Sequence, residues 1–134
     1  MILVVCLDAC DGLRFNNRRQ SRDRCVTERI KQLSEGKRLY ISDSSKDLFA
    51  DFDCIVASNF LELAEPGDIC FCETPIVCEF IENVEKLIVF RWDKVYPQDE
   101  KFPLNEFTAA LPLKNTSTFQ GYSHELITQE IYER

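Results

Sequence analysis

The sequence predicts one α/β domain, a mostly parallel central sheet with flanking helices and an antiparallel C-terminal edge. Three observations lead there. Ile2-Leu-Val-Val-Cys-Leu7 is an unbroken run of six apolar residues, the mark of a strand buried on both faces. Helix and strand signals then alternate as far as Leu87-Ile-Val-Phe-Arg-Trp92. Beyond it no convincing helix follows, and residues 107–113 and 125–133 both read as strands, most simply an antiparallel pair across a long loop. A chain of 134 residues, 45% apolar and 29% charged, is one globular domain spanning 1–134.

After the first strand, Ser21 is placed to cap a helix from about Arg22 to Glu35, with Val26, Ile30 and Leu33 as its buried stripe. Gly36 ends it. Arg38-Leu-Tyr-Ile-Ser42 reads as a second strand and Ser44-Ser-Lys-Asp-Leu-Phe49 as a helix of one or two turns. Cys54-Ile-Val-Ala57 is a third strand, Phe60-Leu-Glu-Leu63 a short helix, and Pro66-Gly67-Asp68 a turn. Ile69-Cys-Phe-Cys72 is the fourth strand. Thr74 and Pro75 have the pattern of a cap and first helical residue, opening a helix through Val77, Cys78, Phe80, Ile81 and Val84. Leu87–Trp92 is the fifth strand.

Composition narrows the classes. No apolar run approaches the ~20 residues of a membrane helix. Met1 leads straight into the first strand with neither a basic segment nor a small-residue cleavage site, so a cytoplasmic protein is expected. The cysteines, Cys6, Cys10, Cys25, Cys54, Cys70, Cys72 and Cys78, are odd in number and lie mostly in apolar runs, which suits reduced, buried side chains. Cys70 and Cys72 share a strand face but lack a second ligand pair for a metal. A net charge of −7 disfavours nucleic acid as a general partner. Residues 14–38, however, hold nine Lys/Arg against three acids, a local +6 that leaves −13 elsewhere. Such an island is either an anion site or a solvated face paired with the acidic remainder.

Candidate chemistry gathers where the first strand ends. Asp8-Ala-Cys-Asp-Gly12 and Phe15-Asn-Asn-Arg-Arg-Gln-Ser-Arg-Asp23 bring acids and arginines to its carboxyl end, where open α/β sheets bind ligands. Arg18, Arg19 and Arg22 precede and enter a helix start, which already favours anions. Asp8, Asp11 and Asp23 are conceivable Mg²⁺ ligands beside a phosphate, but Asp11-Gly12 is an ordinary turn pair and Asp23 suits the helix dipole. His124 is the only histidine, which excludes a multi-histidine metal centre; a Ser-His or Cys-His pair would have to use it, and it falls in an expected surface loop. Trp92 reads as a sheet-packing aromatic.

This order of elements resembles the dihydrofolate reductase-like family. Leu7-Asp8 and Gly12-Leu13 stand where that family's first strand runs through an acid into its substrate loop, and Asp23 lies near the offset of its substrate carboxylate. Gly67-Asp-Ile-Cys-Phe-Cys72, Phe80–Val84, Glu85-Lys-Leu-Ile-Val-Phe90, Lys101-Phe-Pro103 and Glu130-Ile-Tyr-Glu-Arg134 are similar to its later elements. Three departures stand out. The family's Leu-Pro-Trp is replaced by Arg18-Arg19-Gln20, and its Gly-Arg after the second strand by Ser42-Asp43. Its Gly-Gly, which brings backbone close to the cofactor pyrophosphate, is replaced by Glu73-Thr74-Pro75. The chain is also short between its third and fourth strands.

The resemblance implies the family's fold without its NADPH site. The expectation is a non-reductase domain binding a small anionic or heteroaromatic ligand at Asp8, Arg18, Arg19, Arg22 and Asp23, with no cofactor, metal or assigned catalytic residue. The alternative is an interaction protein whose Arg-rich loop 18–24 docks an acidic partner or nucleic acid. A divergent NADPH-dependent reductase and a Mg²⁺-dependent phosphoryl enzyme complete the set.

Overall fold

The computed structural model describes residues 1–75 and 78–134. Strand β1 (Ile2–Leu7) is buried along its length because both sheet faces are covered, as its apolar run requires. Alternate residues feed two cores. Leu3, Val5 and Leu7 point to one, with Cys70, Leu87 and Phe107; Ile2 and Val4 point to the other, with Val26, Ile30 and Phe71.

Between β1 and the first helix the chain builds an arm that periodicity did not reveal. β2 (Gly12–Phe15) and β3 (Arg18–Arg19) form a hairpin whose two-residue loop, Asn16-Asn17, has φ of 52° and 59°. Positive φ at both loop positions is the type I′ requirement, and asparagine tolerates it. The arginine-rich segment is therefore partly strand rather than loop. Helix α1 (Arg24–Leu33) follows, with Val26 and Ile30 buried as the spacing predicted. Its cap is Asp23 rather than Ser21, the Asp23 carboxylate accepting from the Cys25 N–H at 2.8 Å. Gly36, at φ 73°, turns the chain away.

The middle of the chain follows the expected alternation with shorter elements. β4 (Leu39–Ile41) leads to a 3₁₀ segment (Asp43–Phe49), β5 (Ile55–Val56), α2 (Phe60–Leu63) and β6 (Ile69–Phe71). The helix expected from Thr74 appears only as a 3₁₀ segment over Cys78–Asn83, with Thr74 and Pro75 in a bend; Val77 lies outside the described residues. β7 (Lys86–Trp92) and β8 (Glu100–Lys101) come next, β8 joining β2 and β3 in a small second sheet.

The C-terminal third corrects one expectation. Residues 107–113 are not a strand: α3 (Leu104–Thr108) occupies their start, and the strand is β9 (Leu113–Phe119). Leu104, Phe107 and Leu111 are buried at helical spacing, a stripe of three that was too short to stand out. β9 is exposed on both faces until Phe119, so it shows no alternation. β10 (Ile127–Glu133) completes the antiparallel ribbon.

The main sheet runs β5-β4-β6-β1-β7-β10-β9. The first five strands are mutually parallel, while β10 is antiparallel to β7 and β9. The carboxyl ends of β1, β6 and β7 thus open beside the β2–β3 arm and the start of α1. No helix among the described residues is long and apolar enough to cross a membrane.

Candidate functional site

A cleft lies at those strand ends. Cys6, Phe71 and Trp92 form its floor, Val26, Thr27 and Ile30 one wall, and Leu13 with residues 19–23 the arm side. Its volume is about 20 Å³, room for about one water molecule. Burial pushes the Cys6 thiol well above its ordinary pKa, so it stays a neutral lining group.

Asp8 is fully buried beside the arm. One oxygen accepts from the N–H groups of Gly12 (2.7 Å) and Cys10 (2.8 Å), the other from the Gln20 amide (2.9 Å) and the Tyr96 N–H (3.2 Å). Burial opposes its charge, but these donors outweigh it and hold the carboxyl below its usual pKa. Asp8 therefore pins the arm to the loop after β7.

Arg19 is held by acids on every nitrogen. Its Nε and Nη2 bond Glu73 at 2.7 and 2.9 Å; Nη1 and Nη2 bond Asp47 at 2.7 and 3.0 Å. Glu73 also accepts from Ser45 Oγ at 2.7 Å. The Glu73 and Asp47 carboxylates raise the Arg19 pKa, and Arg19 lowers that of Asp47. Glu73, which stands where the resemblance calls for a glycine pair, is thus the anchor that ties the arm to the end of β6. Arg22 is 61% exposed at the cleft rim, with a 3.3 Å bridge to Asp47. Arg18 is exposed and lines an outer groove of about 530 Å³ with Phe15, Tyr96 and Pro97.

Four of the nine cations of the basic island pair with acids outside it: Arg14 with Glu100, Arg19 with Glu73 and Asp47, Arg22 with Asp47, and Arg38 with Glu65 and Asp68. The three aspartates considered for Mg²⁺ do separate jobs, Asp11 bridging Arg91 at 2.8 Å. Among the described residues no group of three His, Cys, Asp or Glu side chains is placed to hold a metal ion. All seven cysteines are free; Cys70 and Cys72 are buried, whereas Cys10 and Cys78 are exposed, contrary to the general expectation of burial.

Asp23 is 4% exposed and more heavily bonded still. Besides capping α1, it accepts from the N–H groups of Tyr122 (2.9 Å), Ser123 (2.9 Å) and His124 (3.1 Å), from Ser123 Oγ (3.1 Å) and from His124 Nδ1 (2.8 Å). Burial opposes its ionisation, but the donors from Tyr122, His124, Ser123 and Cys25 keep its carboxyl far below the ordinary range. His124, expected at the surface, is 7% exposed: its loop folds inward to wrap Asp23, and its ring stacks on Trp92 at 4.6 Å. His124 Nε2 faces Ser21 Oγ at 2.9 Å and Tyr96 OH at 3.3 Å.

The wrap leaves no room at Gly121. A Cβ there would stand 2.7 Å from Asp23 Oδ2, 2.7 Å from Ile127 Cδ1 and 2.8 Å from the His124 carbonyl oxygen, which is backbone and cannot rotate aside. Gly121→Ala is expected to cost about 1–3 kcal/mol in guanidinium unfolding, the range for forced overpacking. A cost within error would mean the loop is looser than this geometry.

No family model and no curated protein matches the sequence. Solved structures do. A dihydrofolate reductase from Enterococcus faecalis, complexed with NADP(H) and RAB-propyl, superposes at a TM-score of 0.67, covering 99% of this chain and 95% of that one at 12% identity. The chain has the dihydrofolate reductase-like fold.

Proposed function

We propose that this chain is a non-reductase binding domain on that fold, taking a small anionic or heteroaromatic ligand at the carboxyl ends of β1, β6 and β7. The observation that carries the reading is Glu73. A carboxylate locked to Arg19 stands where the resemblance calls for glycines that let backbone approach a pyrophosphate. Paired with Arg19 it offers phosphate no net attraction, and its side chain stands where glycines would leave the backbone open. The fold alone suggests a ligand at the strand ends, and the cleft lies there. Of the expected ligand-binding residues, Arg19, Arg22 and Asp23 line it, whereas Arg18 faces the outer groove and Asp8 is buried beside the arm outside its lining. Arg18 and Arg22 are the arginines exposed enough to meet an incoming anion.

Thermal unfolding with NADPH, folate and nucleotides in separate samples tests the proposal. A ligand at 100 times its Kd adds about 2.7 kcal/mol, several degrees in Tm at this size. A shift with folate or a nucleotide and none with NADPH is the expected result. An NADPH shift would restore the reductase. No shift with any ligand would favour docking of an acidic partner through residues 18–24.

A further inference from the structure

We propose that Ser21, His124 and Asp23 form a hydrolytic relay, with Ser21 as a nucleophile toward short-chain carboxylic esters. The inference shares the cleft of the binding reading, because Ser21 lines it, and goes beyond that reading in assigning chemistry.

The geometry supports the roles one atom at a time. Asp23, ionised and buried, offers only acceptor oxygens, so the His124 Nδ1 beside it at 2.8 Å must carry the proton of that bond. In neutral His124, Nε2 is then left with its lone pair, and the Ser21 hydroxyl at 2.9 Å donates to it. That is the order of groups a serine nucleophile needs: hydroxyl, base, and a buried carboxylate that fixes the tautomer. Trp92 stacks on the imidazole at 4.6 Å, holding its plane and offering a π-face to the imidazolium that forms during transfer. Tyr96 OH, 3.3 Å from Nε2, is the longer and competing donor.

Ser21 Oγ adds to the ester carbonyl carbon as its proton passes to Nε2. Collapse expels the alcohol, which takes that proton, and leaves an acyl-Ser21 ester. Water then adds with His124 again as base, releasing the carboxylic acid and restoring Ser21. The sum is ester plus water to acid plus alcohol. Leu13, Val26 and Phe71 supply an apolar wall for a small acyl group. The closed cleft holds about one water, so an acyl group reaches Ser21 only once the rim side chains, the exposed Arg22 among them, give way. Ser123 Oγ, bonded to Asp23 and 3.3 Å from Nδ1, is on the far side of the ring from Nε2 and takes no part in the transfer.

The test is covalent labelling of the intact chain by a small alkyl fluorophosphonate, located by peptide mass spectrometry, with p-nitrophenyl acetate hydrolysis followed in parallel. The expected result is one adduct, on Ser21, lost in Ser21→Ala and slowed at least about 100-fold in His124→Asn. That second variant keeps an N–H donor toward Asp23 while removing the base, so the loop stays tied down. Circular dichroism establishes that each variant is folded. A folded wild type without an adduct on Ser21 overturns the relay, and so does labelling that His124→Asn leaves unchanged. A ligand-induced Tm shift without labelling removes the relay and keeps the binding domain. Labelling without any ligand shift does the reverse.

Discussion

Asp23→Ala is expected to remove roughly 3–5 kcal/mol of stability, a large share of the 5–15 kcal/mol typical of a domain. Two losses combine. The cap of α1 is worth about 1 kcal/mol. The larger part is the cluster left behind: the N–H groups of Tyr122, Ser123 and His124 converge on one carboxylate, and each loses its acceptor at once. Guanidinium unfolding measures this directly, and a loss below about 1 kcal/mol would mean that water replaces the carboxylate at little cost.

The same carboxylate shapes acid stability. The folded-state pKa values of Asp8 and Asp23 lie below their unfolded values, near 3.9. Their contribution is therefore complete above about pH 5 and is lost as pH falls through 3.9 toward the folded values. Over that range, two protons taken up on unfolding give a slope of up to about 2.7 kcal/mol per pH unit. Asp23→Ala should flatten the acid limb while leaving the neutral region level.

The second large effect is at Arg19. Arg19→Met should cost about 2–4 kcal/mol, because Glu73, 12% exposed, loses the guanidinium that offset its burial. Asp47 is half exposed and finds water instead. Glu73→Gln should cost less, and the double variant Arg19→Met with Glu73→Gln should recover much of the loss, since a neutral pair needs no counter-charge. A double-mutant cycle reads this as a coupling energy of about 1–3 kcal/mol; purely additive costs would mean that the bridge is solvent-screened.

Where structure depends on neighbours in sequence, the chain was readable. β1, α1 and β7 declare themselves by uninterrupted or periodic apolar residues. The arm was missed although Asn16-Asn17 is a local hairpin signal, because its flanking strands are short and polar. α3 was missed because five residues give less than two turns of pattern. The site's main partnership was beyond reach for a different reason. Nothing near Asp23 announces that its acceptors are filled by residues 122–124, and nothing near His124 announces burial. Only the ribbon's return across the sheet brings them together.

That separation has a meaning in time. Asp23 lies 99 to 101 positions from the amides that bind it. A helix turn forms within a microsecond, but closing so long a loop must wait for the sheet that carries its far end. The bond from Cys25 to Asp23 is local, whereas the bonds from residues 122–124 form only when the chain between has closed.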